Sequence, residues 1–208
     1  DSDSHLLWVV NQWDIDLRWN RFDPAVAEDI RRTVYAVKSY LYWWEKEFSA
    51  EHDYFHLRGQ DNFLRYLPKG RVAVRVHEQD SLFDVLARTA ACRITGCNPI
   101  VSLPEGLTNG VTRFLTSHHG KAFFRDALIT QQTDEALCGM ISKIDRIRYA
   151  APDRVPQRVY EKAAESGFYI SRLPVFMEGR IELLQYLQEQ AVCDNYHRYG
   201  NLGERGLL

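Results

Sequence analysis

Residues 71–103 read RVAVRVHEQDSLFDVLARTAACRITGCNPIVSL, and their reading decides the fold. The opening RVAVRVH alternates in part and is rich in valine, which predicts a strand over 71–77. Asp80 or Ser81 suits the N-cap of a helix running through LFDVLARTAACRIT, and Gly96 suits its C-terminal cap. NPIVSLP is a second short apolar run, hence a second strand. Two strands joined by a helix of this length imply a right-handed crossover and parallel pairing.

Downstream the alternation continues less regularly. TNGVTRFLTSHH is a helix candidate, with His118 and His119 expected at its C-terminal end, and AFFRDALITQQ fits strand or helix. TDEALCGMISKI opens on Thr133 as a cap, with Glu135 one position early for a full capping box. DRIRYAAP reads as a strand, VPQRVYEKAAESG as a helix ending at Gly167, and FYISRLPVF as a strand-like run. EGRIELLQYLQEQAV reads as a helix. Alternating β and α units over 70–175 predict an α/β fold, an open, mostly parallel Rossmann-like sheet with flanking helices.

Upstream, residues 5–50 read as a helical N-terminal segment. HLLWVVNQW is an apolar run, and Asp23-Pro24 sets a helix start. Val26, Ile30, Val34, Val37, Leu41 and Trp44 follow at steps of three or four and make an amphipathic face. The aromatic run from Tyr40 to Trp44 reads as core packing rather than ligand stacking. RGQDNFLRYLPKG is polar and ends in Pro-Lys-Gly, a loop or an edge ribbon.

The bulk numbers exclude several classes. The 208 residues carry 26 basic and 28 acidic side chains, a balance that points away from nucleic acid and membrane surfaces. No apolar run is long enough to span a bilayer. Cys92, Cys97, Cys138 and Cys193 match no zinc spacing and are expected as buried free thiols in a reducing cytoplasm. The chain opens DSDSH without Met, as expected of an excised or processed piece.

Searches for catalytic and binding motifs give no catalytic, cofactor-binding or metal-binding residue. The strand at 71–77 runs into HEQDS, with no G-x-G-x-x-G and no P-loop. Amides at the start of the following helix suit a phosphate, but Glu78 and Asp80 put negative charge there. Cys92 and Cys97 are candidate nucleophiles, weighed against inert buried thiols, and Cys138 reads as core. His52 and His56, four apart, fit one helical face but lack a third ligand.

The chain ends unusually. Tyr196, His197, Arg198 and Tyr199 carry flat rings and donors, and Gly200 and Gly203 flank Asn201 and Leu202 with flexible hinges. Such a stretch suits docking onto another surface, or folding back on its own domain.

At these residues EGRIELLQYLQEQAVCDNYHRYGNLG resembles the far C-terminal region of the proline utilization A family. Those are bifunctional bacterial enzymes with an FAD-dependent proline dehydrogenase and an NAD-dependent L-glutamate gamma-semialdehyde dehydrogenase. The block 58–106 resembles a cofactor-domain segment of the aldehyde dehydrogenase superfamily. Three departures stand out. Val76, His77 and Glu78 occupy the place of the Pro-Trp-Asn turn, Leu103 stands before Pro104 where a lysine is expected, and no Gly-Gln-x-Cys segment occurs. Without oxyanion donors and a nucleophilic thiolate, catalysis loses its main terms.

The resemblance implies a degenerate domain that binds no cofactor itself, in a parent that uses FAD and NAD elsewhere. The chain is thus read as a helical N-terminal segment over 1–58, a degenerate aldehyde-dehydrogenase-like α/β domain over 59–177, and a C-terminal helix and docking tail over 178–208. The resemblance implies as partners the catalytic domains of the same parent chain, with a homo-oligomer left open. Residues Tyr196 to Gly203 would then cover the tunnel that carries the intermediate between active sites. The alternative is a nucleotide-binding oxidoreductase domain of the L-glutamate gamma-semialdehyde dehydrogenase type, and a stand-alone module binding a protein through its tail stays open as well.

Overall fold

The computed structural model describes residues 2–125 and 127–195. Two helices come first, α1 (Ser2–Arg18) and α2 (Pro24–Trp43). Asp23 caps α2 as the sequence predicts, its carboxylate accepting from the Ala25 amide at 2.9 Å with Pro24 in the first turn. Ile30, Val34 and Val37 on the expected face are buried, and one π-helical turn (Trp44–Phe48) ends the segment. His52 then bridges Leu64 in extended pairing, while His56 takes φ 48°. The helical His52/His56 face expected from their spacing is therefore not formed. Asp53 turns the chain there by accepting from the Phe55 and His56 amides.

The central unit is a sheet of five parallel strands: β2 (Arg71–Arg75), β3 (Asn98–Leu103), β4 (Leu128–Gln131), β5 (Arg146–Arg148) and β6 (Ile170–Ser171). Across the sheet they run β4-β3-β2-β5-β6. That is third, second, first, fourth, fifth along the chain, the doubly wound order. Between β2 and β3 lies α3 (Leu82–Ile94), opened by a capping box in which Ser81 and Asp84 satisfy each other's amides. It closes in a Schellman motif, with Cys97 N–H on Cys92 O and Gly96 N–H on Arg93 O, both at 3.0 Å. Gly96 supplies the positive φ, 80°, that this motif requires.

The ambiguous stretch before residue 132 resolves into α4 (Gly110–Thr116), α5 (His118–Phe124) and β4. His118 and His119 open α5 instead of ending a helix, because the Ser117 hydroxyl accepts from the Gly120 amide at 3.1 Å and starts a new one. Next come α6 (Asp134–Gly139), capped by Thr133, and α7 (Gln157–Ser166), closed by Gly167 in the left-handed region.

The helix expected over 178–192 is mostly absent. Only α8 (Gly179–Glu182) and a 3-10 turn (Leu183–Tyr186) form before the chain extends into β7 (Leu187–Asn195). This strand pairs antiparallel with β1 (Gln60–Pro68) from Gln60↔Asn195 to Pro68↔Leu187, a separate two-stranded ribbon. LQEQAV has helical propensity, but cross-strand pairing with β1 overrides it.

Alternate strand residues face opposite cores. Val72 and Val101 join a cluster with α1, α2, α3, α4, α5 and Leu183, while Ala73, Ile100 and Ile147 join Leu137, Ile141 and Val159 on the other face. The first cluster draws residues from the N-terminal helices, the α/β unit and the segment after 178. Among the described residues, no helix is long and apolar enough to cross a membrane.

Candidate functional site

In a doubly wound sheet the ligand crevice lies beyond the carboxyl ends of the strands, where the strand order reverses. Here that point is the gap between Arg75, ending β2, and Arg148, ending β5. One guanidinium occupies it. Arg88, fully buried on α3, donates through Nη1 to the carbonyls of Arg75 (2.8 Å) and Arg148 (2.9 Å). Its Nη2 donates to the Asp80 carboxylate and its Nε to Asp84 O at 2.7 Å.

The neighbours complete the network. Asp80 also accepts from Arg154 Nη1 at 2.7 Å and from the His77 amide at 3.1 Å. Arg154 reaches Asp84 as well, at 3.0 Å. Arg75 donates to Ser102 Oγ and Gln132 O, both at 3.0 Å, and to Asp134 at 2.8 Å. Burial opposes the Arg154 charge, but Asp84 and Asp80 outweigh it and hold its pKa above the ordinary value. The negative charge expected at Asp80 is thus offset by two arginines.

Three of the amides that would bind a phosphate are already engaged. Ser81 N–H donates to Asp84 (3.1 Å), Leu82 N–H to Asp29 (3.0 Å) and Asp84 N–H to Ser81 Oγ (3.0 Å). Pyrophosphate recognition at a helix N-terminus needs such donors free and glycine-lined. The residues present do not fit a glycine-lined pyrophosphate cradle here: Arg88 fills the gap, and internal acceptors hold three of the donors.

A second buried ion pair extends from the same strand end. Arg148 Nη2 meets the Glu182 oxygens at 2.9 and 3.0 Å, with both side chains fully buried. Tyr186 OH and the Phe176 amide saturate Glu182 at 2.9 and 3.0 Å. Arg148 also donates to Leu173 O at 2.5 Å. Burial pushes the Tyr149 hydroxyl well up, and among the described residues that hydroxyl has no hydrogen-bond partner.

Among the other sequence candidates, Cys92, Cys97 and Cys138 are buried as expected, whereas Cys193 on the ribbon is exposed. An extended strand leaves every second side chain outside, and among the described residues no layer covers Cys193 on β7. His119 faces Asp16 at 3.5 Å and packs on Phe22 and Trp13. Trp8, Trp13 and these histidines line a cavity of ≈ 140 Å³ between α1 and α5. That is well below the roughly 300 Å³ at which small-molecule sites begin. Among the described residues, no three His, Cys, Asp or Glu side chains cluster to hold a metal ion. The docking residues Tyr196, His197, Arg198, Tyr199, Gly200, Asn201, Leu202 and Gly203 lie outside the described residues. Sequence reading missed Arg88, although an arginine inside LFDVLARTAAC, a helix apolar on nearly all sides, was the signal for it.

The sequence matches no protein-family model, and no curated protein matches it. Solved structures do resemble it. A proline utilization A with proline bound in remote sites superposes with TM-score 0.63 at 12% identity, over 83% of this chain and 19% of that one. The NAD-dependent aldehyde dehydrogenase of Sinorhizobium meliloti gives 0.59 at 12%, over 81% and 36%. Proline utilization A from Corynebacterium freiburgense gives 0.49 at 24%, over 85% and 15%. The chain therefore shares the α/β fold of the first two, and it spans between about a seventh and just over a third of the length of these proteins.

Proposed function

We propose that this chain is a non-catalytic, aldehyde-dehydrogenase-like domain of a larger cytoplasmic proline-catabolic enzyme, supporting its assembly. The observation that carries this reading is the closed switch point: Arg88 bridges both strand ends while Asp29, Ser81 and Asp84 engage the helix amides. A dinucleotide would have to break several charge-assisted hydrogen bonds, each worth about 1.5–3 kcal/mol. The likeness in fold to proline utilization A structures supports the choice of parent, and the YHRYGNLG ending supports it independently.

In that parent the partners are the catalytic domains of the same chain, and residues 196–203 cover the tunnel for the intermediate. Titrating the chain with NAD by calorimetry, followed also by tryptophan fluorescence, tests the first part. No saturable binding is expected. Saturation at micromolar NAD would overturn the reading in favour of a nucleotide-binding oxidoreductase of the L-glutamate gamma-semialdehyde dehydrogenase type. In the parent, deleting 196–208 should lengthen the lag before NADH appears from proline, and an unchanged time course would remove the covering role.

A further inference from the structure

We propose that Cys92 and Cys97 form a built dithiol site at which a hydroperoxide makes an intrachain disulfide. The inference goes beyond the functional reading above and does not depend on it. The geometry comes from the end of α3. Cys92 and Cys97 occupy the third-from-last helical position and the second position past the cap of the Schellman motif, whose 6→1 hydrogen bond joins Cys97 N to Cys92 O at 3.0 Å. These are the two positions whose side chains pack together in that motif. The hydrogen bond limits the Cα separation to at most about 7 Å, against the roughly 4.4–6.8 Å a disulfide spans.

The surroundings divide the two thiols into different roles. The Cys97 sulfur lies 3.5 Å from Thr95 Oγ1, and its thiol form donates to Tyr186 O at 3.3 Å. A hydrogen bond from the Cys92 thiol, then one from Thr95 and the amides of Lys69 and Gly70, outweigh burial and bring the Cys97 thiol down to about 6. Burial pushes Cys92 well up. The Thr95 hydroxyl beside Cys97, with the exposure only Cys97 keeps, makes Cys97 the nucleophile and Cys92 the resolving thiol. Cys97 keeps slight exposure, and Cys92 has none.

The chemistry closes in two displacements. The Cys97 thiolate attacks the distal oxygen of the hydroperoxide, the O–O bond breaks, and the departing alkoxide or hydroxide takes a proton. Cys92 then attacks the sulfenic sulfur, the S–O bond breaks, and hydroxide leaves with the Cys92 proton as water. Two thiols are oxidised by two electrons, and one peroxide is reduced to an alcohol, or water, plus water. The reaction also removes the thiol that faces Tyr186 O, where the end of β1 meets the start of β7.

Trypsin supplies a direct test, because it cuts after Arg93 and separates residues 89–93 from 94–113 unless a disulfide joins them. The folded Cys193→Ser chain is treated with hydrogen peroxide, quenched with N-ethylmaleimide, digested and weighed. The joined peptide is expected, about 2 Da lighter than its parts and split by dithiothreitol. It should form about tenfold faster than in the same chain unfolded in urea. With Cys92→Ser, dimedone should trap Cys97 as its sulfenic acid. Two peptides that stay separate, or a folded rate no faster than the unfolded one, would overturn the proposal.

Discussion

The two ends of the parallel sheet solve one problem in opposite ways. At the amino end, main chain and one carboxylate satisfy the strand termini: Asn98 N–H meets Gly70 O at 2.7 Å, Asp145 N–H meets Arg71 O at 2.8 Å, and the Asp145 carboxylate returns to Arg71 N. At the carboxyl end, buried guanidinium groups do it, through Arg88, Arg75 and Arg148. The amino end is therefore stitched mainly by backbone groups of adjacent strands. The carboxyl end depends on buried charges that stay satisfied only together, and it is also the end where this fold would otherwise hold a ligand.

If that contrast is right, the largest loss comes from breaking a buried pair at the carboxyl end. Glu182→Leu strands Arg148 without its partner and should cost roughly 3–5 kcal/mol in urea unfolding. The double variant Arg148→Met with Glu182→Leu should recover most of it, and failure to recover would show that the carbonyl contacts of Arg148 matter more than its charge. Gly179→Ala comes next. Its Cβ would sit 2.7 Å from Ser39 O, a backbone atom of α2, so about 1–3 kcal/mol of overpacking is expected from thermal denaturation.

Ser81→Ala removes the hydroxyl of the α3 capping box and should cost about 1 kcal/mol. It also frees one amide at the closed crevice. Should NAD bind this variant, the donors alone were the obstacle; no binding points to Arg88. At the far end of the scale, Arg158→Ala breaks only the exposed pair with Glu135 and should change the urea midpoint by no more than about 0.5 kcal/mol in stability.

Much of this architecture was legible beforehand where local physics decides. Asp23-Pro24, Ser81 and Gly167 cap the helices as their chemistry requires, and the valine-rich run at 71 became the central strand. Readings failed where a partner far along the chain decides. LQEQAV became a strand because β1 waits opposite it, 125 residues away at Arg65 and Gln190. The histidines at 118 and 119 moved from a helix end to a helix start because Ser117 can serve as either cap.

By itself, then, the sequence determined the α/β class, the parallel crossover and the absent glycine-rich turn, since caps, periodicity and turn residues act over a few positions. Only the tertiary structure decided that the crevice is closed. Asp29, Arg88, Arg148 and Arg154 come from separate segments, and the low-dielectric interior that makes their pairing obligatory exists only once the sheet and helices have packed.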